Sequence, residues 1–121
     1  SPLSVTKGMF WDWNTGFRFL SVDGKADSVS TGTFTNGFSY HLGTNPLLMS
    51  FDYTQPQHGF TISKDQELQF ILEMDVHRFF YSSTDTINVF QDNVTHTSGS
   101  TIPLANRIKS NVMQSFYKVP F

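Results

Sequence analysis

The sequence contains no cysteine, so disulfides, thiolate-bound metals and cysteine nucleophiles are excluded outright. Charge is also sparse: 8 Lys and Arg against 10 Asp and Glu give a formal net charge of −2. No basic stripe of the kind nucleic acids require is present, and no polybasic patch suited to an anionic membrane. No apolar run approaches the roughly 18 residues of a transmembrane helix. The chemistry-bearing signatures are missing as well. There is no glycine-rich phosphate loop, no nucleophile elbow and no HExxH. Asp85, Asp92 and Asn93 do not have calcium-loop spacing. Asp12 and Asp23 read as solvated turn acids. These absences argue against an enzyme and favour a binding protein. Any site for a soft metal has to draw on histidine, methionine or a less ordinary ligand.

What the chain does have is aromatic bulk. Thirteen Phe, 4 Tyr and 2 Trp compensate for an apolar fraction of only 38%, so a packed core is expected. A length of 121 residues suits one domain with one core, and residues 1–121 read as a single β-rich domain. Abundant Ser, Thr and Asn with little Ala favour strands and turns over helices.

Hydrophobic period two dominates. Phe17 and Phe19 read as a strand ending at the turn signal Asp23-Gly24. Thr33 to Leu42 places Phe34, Phe38 and Tyr40 on one face and Ser39 and His41 on the other, with a bulge or turn expected at Asn36-Gly37. Leu47, Met49, Phe51 and Tyr53 form a further one-sided strand, and Phe60 with Ile62 a short one. The cleanest alternation is Leu68, Phe70, Leu72, Met74 against Gln69, Ile71, Glu73, Asp75. Residues 77–80 fit either a helical turn or a continuing strand. Ile87 and Val89 suggest one more extended segment. The period then changes: Leu104, Ile108, Val112 and Phe116 are spaced by four, with Pro103 suited to a first turn, which predicts an amphipathic helix over 103–116. No βαβ alternation is visible, so the sheet is expected to be antiparallel.

Four histidines are present: His41, His58, His77 and His96. None forms a close HxH or HxxxH pair, so a site would be assembled from distant segments. Taken singly, each also reads as an ordinary structural or surface histidine. His41 stands out because it lies opposite the face of Phe38 and Tyr40. His96 sits in a loop able to reach a site, and His77 ends the best strand. Trp11 and Trp13 point to the same side of an extended segment. They fit a buried aromatic pair, a stacking platform for a carbohydrate, or an indole beside a metal.

Gly8-Met9-Phe10-Trp11-Asp12-Trp13-Asn14-Thr15-Gly16-Phe17 resembles the GM(Y/F)WxWxxG(Y/F) signature of the MbnP-like family, copper-binding proteins associated with methanobactin operons. Phe38-Ser39-Tyr40-His41-Leu42-Gly43 is similar to that family's F-x-(F/Y)-H-L-G strand. Asn111 to Phe116 is similar to its N-x-x-x-x-F helix. The resemblance implies an antiparallel β-sandwich with one C-terminal helix, of which this chain covers the later half of the family domain. A missing N-terminal segment, or a partner chain supplying it, is then expected. The resemblance also implies an exported protein or lipoprotein of the bacterial cell envelope, periplasmic or on the outer surface. Such a protein stores or delivers copper through histidines and an oxidised tryptophan, kynurenine, made by a dihaem partner enzyme. Carried onto this sequence, Trp11 or Trp13 is the modified position and His41 the firmest ligand, with His96 and His77 as further candidates. The competing expectation is a cell-surface interaction module that binds a glycan or protein through exposed aromatics.

Overall fold

The computed structural model describes residues 8–12, 16–53 and 59–118. Six strands and one helix follow in chain order: β1 (Phe10–Asp12), β2 (Gly16–Ala26), β3 (Asn36–Gly43), β4 (Leu72–Met74), β5 (Val94–Thr95), α1 (Ile102–Met113) and β6 (Phe116–Lys118). Short 3-10 turns occupy Asn45–Leu47, Val76–Phe79 and Gly99–Thr101. The main sheet has the order β1-β2-β3-β5, and β4 with β6 makes a separate two-stranded ribbon. Among the described residues no helix is long and apolar enough to cross a membrane.

The long β2–β3 hairpin sets the architecture. Its register opposes Leu20 to Leu42 and Val22 to Tyr40, while Ser21 meets His41 and Asp23 meets Ser39. Side chains alternate between the faces of a strand, so the first two pairs line one side of the sheet and the last two the other. On the apolar side, Tyr40 and Leu42 join Leu47, Phe79, Ile87, Ala105, Ile108 and Val112 in the buried core. That face is covered by α1 and irregular segments, and the second sheet is small. β3 and β5 run parallel, pairing Ser39 with Val94 and Tyr40 with Thr95. The main sheet is therefore mixed, which corrects the wholly antiparallel sheet expected from the sequence.

Polar contacts tie the covering layer in place. The Arg107 guanidinium, on α1, bonds Asp85 at 2.6 and 3.1 Å and Asp92 at 3.0 Å. The Tyr40 hydroxyl donates to the Asp92 carbonyl at 2.7 Å, and burial, then the Asp92 charge, push its pKa up to about 12. Asn111 is fully buried; it donates to the Phe79 carbonyl and accepts from the Ser82 hydroxyl. Residues 82–93 are thus anchored to both α1 and β3, which delivers β5 to the edge of β3.

Several other expectations shift. The Asp23-Gly24 pair is not a turn: β2 runs through it to Ala26. Gly24 instead lets the Phe38 ring lie close, since an added Cβ would come within 2.5 Å of that ring. Asn36-Gly37 opens β3 without a bulge, in register with Ala26 and Lys25. Residues 47–53 form a 3-10 turn and irregular chain, and Phe60 and Ile62 belong to no strand. The alternation at 68–75 becomes a strand only over Leu72–Met74, where β6 pairs with it. A pleated segment is held by its neighbour's hydrogen bonds, and the pairing with β6 runs over Leu72–Met74.

Candidate metal centre

On the polar face of the hairpin, two of the residues selected from the sequence meet. β3 brings His41 to the face opposite Tyr40 and Leu42, and the parallel pairing of Tyr40 with Thr95 brings the next residue, His96, level with it. The two rings lie 4.7 Å apart between centroids, tilted by 59°. Their Nδ1 atoms are 3.0 Å apart. Two neutral nitrogens at that separation either share a proton or are close enough to bind one ion, imidazole bonds to an ion such as zinc being about 2.0–2.1 Å.

The other side of the His41 ring is fully engaged. Its Nε2 lies 3.0 Å from both carboxylate oxygens of Asp23, on β2. The Ser39 hydroxyl donates to the same carboxylate at 2.6 Å and stands 3.3 Å from His41 Nε2. The bond from Ser39, then that from His41, hold the Asp23 carboxyl below its ordinary range. The His41 side chain is only 14% exposed, whereas that of Asp23 is 58% exposed.

His96 is held by its successor. Thr97 donates its hydroxyl to the His41 carbonyl at 2.8 Å and accepts from the Gly43 backbone N–H at 3.1 Å. Its own N–H donates to the Thr95 hydroxyl at 3.2 Å. These bonds fix Thr97 at φ 56, a left-handed conformation that a β-branched residue adopts at a cost of roughly 1–3 kcal/mol. The strained residue thus pins the His96 segment across the end of β3.

Trp11 packs against β3 two residues beyond His41. A Cβ at Gly43 would come within 2.6 Å of both Trp11 Cζ3 and the Phe17 carbonyl, so the indole lies where a side chain at position 43 would stand. His41 and Gly43 are two residues apart on one strand and face the same way, about 7 Å along it. The Arg18 guanidinium carbon sits 5.4 Å from the Trp11 ring centroid. Trp11 is thus half-buried between Arg18 and β3 rather than free as a flat platform.

The remaining candidates fall elsewhere. His77 lies in the Val76–Phe79 turn, its backbone N–H bonded to Asp75 and its ring 5.7 Å from that of Tyr81. Trp13 and His58 lie outside the described residues. Among the described residues no three His, Asp or Glu side chains converge as a ready metal cage. Sequence reasoning missed Asp23, Ser39 and Thr97. For Asp23 and Ser39 the signal was available: a hairpin centred near residue 31 puts Asp23 opposite Ser39, on the same polar face as His41.

The fold and this site define a β-rich protein that presents two paired imidazoles on the polar side of its main sheet, where β3 meets β5. The family model described as MbnP matches residues 1–102, most of the chain, and the chain belongs to the MbnP family. No curated protein and no solved structure gives a significant match.

Proposed function

We propose that this chain binds copper, as an exported envelope protein that stores or delivers the ion and performs no catalysis of its own. The observation that carries the reading is the 3.0 Å approach of His41 Nδ1 to His96 Nδ1, two residues 55 positions apart. Two neutral imidazoles suit Cu(I), which accepts low coordination numbers and soft or borderline donors. Membership of the MbnP family supports the choice of metal. In this reading a tryptophan, Trp11 or Trp13, supplies a further donor after oxidation to kynurenine by a dihaem partner enzyme, since an unmodified indole nitrogen is a poor ligand. Trp11 stands beside Gly43, two residues along β3 from His41. The β-sandwich and envelope location implied by the family resemblance belong to the same proposal.

Competition titration with a chromophoric Cu(I) chelator tests the reading. Wild type is expected to withdraw one equivalent of copper. His41→Ala and His96→Ala should each weaken binding at least 100-fold, with His77→Ala unchanged. Equal affinity in wild type and both single variants would remove the site. Intact-mass analysis of protein from its native host should show an oxygen-dependent mass change that maps to Trp11 or Trp13.

A further inference from the structure

We infer that Asp23, supported by Ser39, is a positioning residue that locks His41 with its proton on Nε2, so that both histidines of the site present Nδ1 to the ligand. The inference rests on the metal-binding reading for its purpose, but its evidence is separate.

An ionised carboxylate can only accept hydrogen bonds. Asp23 lies 3.0 Å from His41 Nε2 through both oxygens, so that nitrogen must be the donor. The Ser39 hydroxyl gives its single proton to Asp23 at 2.6 Å, which leaves it only an acceptor toward His41 Nε2 at 3.3 Å. Two acceptors therefore surround one ring nitrogen, and a neutral imidazole has one N–H. The proton stays on Nε2 and Nδ1 keeps its lone pair.

That assignment fixes the partner ring. With His41 Nδ1 an acceptor, the 3.0 Å contact is satisfied only if His96 Nδ1 carries a proton and donates it. The metal-free site thus holds the two histidines in opposite tautomers. An ion held by the two Nδ1 atoms would require no change at His41, whereas His96 would have to carry its proton on Nε2 instead of Nδ1, an exchange through solvent with no net proton released. Asp23 meanwhile makes His41 a better donor by accepting charge at the far side of the ring, as outer carboxylates do for metal-bound imidazoles. The hairpin register explains how the device is built. Asp23 opposes Ser39 and Ser21 opposes His41, so the carboxylate reaches His41 diagonally across the same face.

The test is nitrogen-15 NMR of the histidine rings at a pH where both are neutral, with and without Cu(I). The metal-free wild type should show His41 protonated on Nε2 and His96 on Nδ1. Saturating Cu(I) should convert His96 to the Nε2-protonated form and leave His41 as it was. Asp23→Ala should give His41 a mixture of tautomers and weaken Cu(I) binding about 10–100-fold. Asp23→Asn should restore the tautomer, because the amide oxygen still accepts, while recovering only part of the affinity. Asp23 is largely exposed, so both variants should fold; Ser39→Ala provides a second, milder perturbation. A wild-type His41 protonated on Nδ1, or an Asp23→Ala variant with unchanged tautomers and affinity, overturns the inference. If the metal-free tautomers behave as stated and depend on Asp23 but no Cu(I) binds, the lock stands and the copper reading alone fails.

Discussion

At the scale of single residues, the site is a set of short-range constraints around one imidazole. His41 is oriented from behind by Asp23 and Ser39, met in front by His96, and flanked along the strand by the indole over Gly43. Gly43 is needed for that last contact. Gly43→Ala places a methyl group against both a backbone carbonyl and the Trp11 ring, and the ring is the part able to give. The expected result is a displaced indole, a tryptophan fluorescence shift and a loss of roughly 1–3 kcal/mol in denaturant unfolding. An unchanged emission spectrum and stability would mean that Trp11 does not sit there. Thr97→Ala removes the bridge between His41 and Gly43, and with it two of the three bonds that hold the left-handed backbone at position 97. It is expected to loosen His96, seen as faster amide exchange at 96–98 and weaker copper retention.

At the scale of elements, α1 and β5 matter most. α1 buries Ala105, Ile108 and Val112 against β3. Ile108→Ala should therefore cost about 2–5 kcal/mol of stability, measured by chemical denaturation. This helix was legible in the sequence because its four-residue spacing serves burial directly, and the observed bounds differ from expectation only at the ends. The hairpin strands were legible for the same reason, Tyr40 and His41 falling on the opposite faces assigned to them. The run from Leu68 to Met74 has an equally clean alternation and is mostly not a strand. Alternation reports which side chains share a face, but a ladder needs a neighbour, and among the described residues Lys118 to Phe116 pair with Leu72–Met74. β5 had no signal at all, since two residues are too few for a period. Its place is set by the anchors at Asp92 and Asn93, whose carbonyls accept from the Tyr40 hydroxyl and the Ser39 N–H. His96 was a candidate from its loop alone, but its meeting with His41 was hidden for this reason: it comes through a parallel pairing that only tertiary contacts specify.

At the scale of the whole molecule, electrostatics tie the site to the fold. Arg107 holds the Asp85 carboxyl below its ordinary value, and Ser39 with His41 does the same for Asp23. A carboxyl depressed in the folded state binds protons more readily when unfolded. The stability it lends is complete above the unfolded value, near pH 4, and is lost as pH falls through the lower folded value. Acid unfolding should therefore begin only below about pH 4 from these groups. Arg107→Met should move that limb to higher pH, whereas an unchanged acid midpoint would deny the Arg107–Asp85 pair a role in folding. The central claim concerns one ion held by two histidines 55 positions apart, and Cu K-edge X-ray absorption on the Cu(I)-loaded protein addresses it most directly. The spectrum is expected to show two imidazole nitrogens in wild type and one in His96→Ala. A copper environment dominated by sulfur, or one that keeps the same imidazole count in His96→Ala, would contradict it.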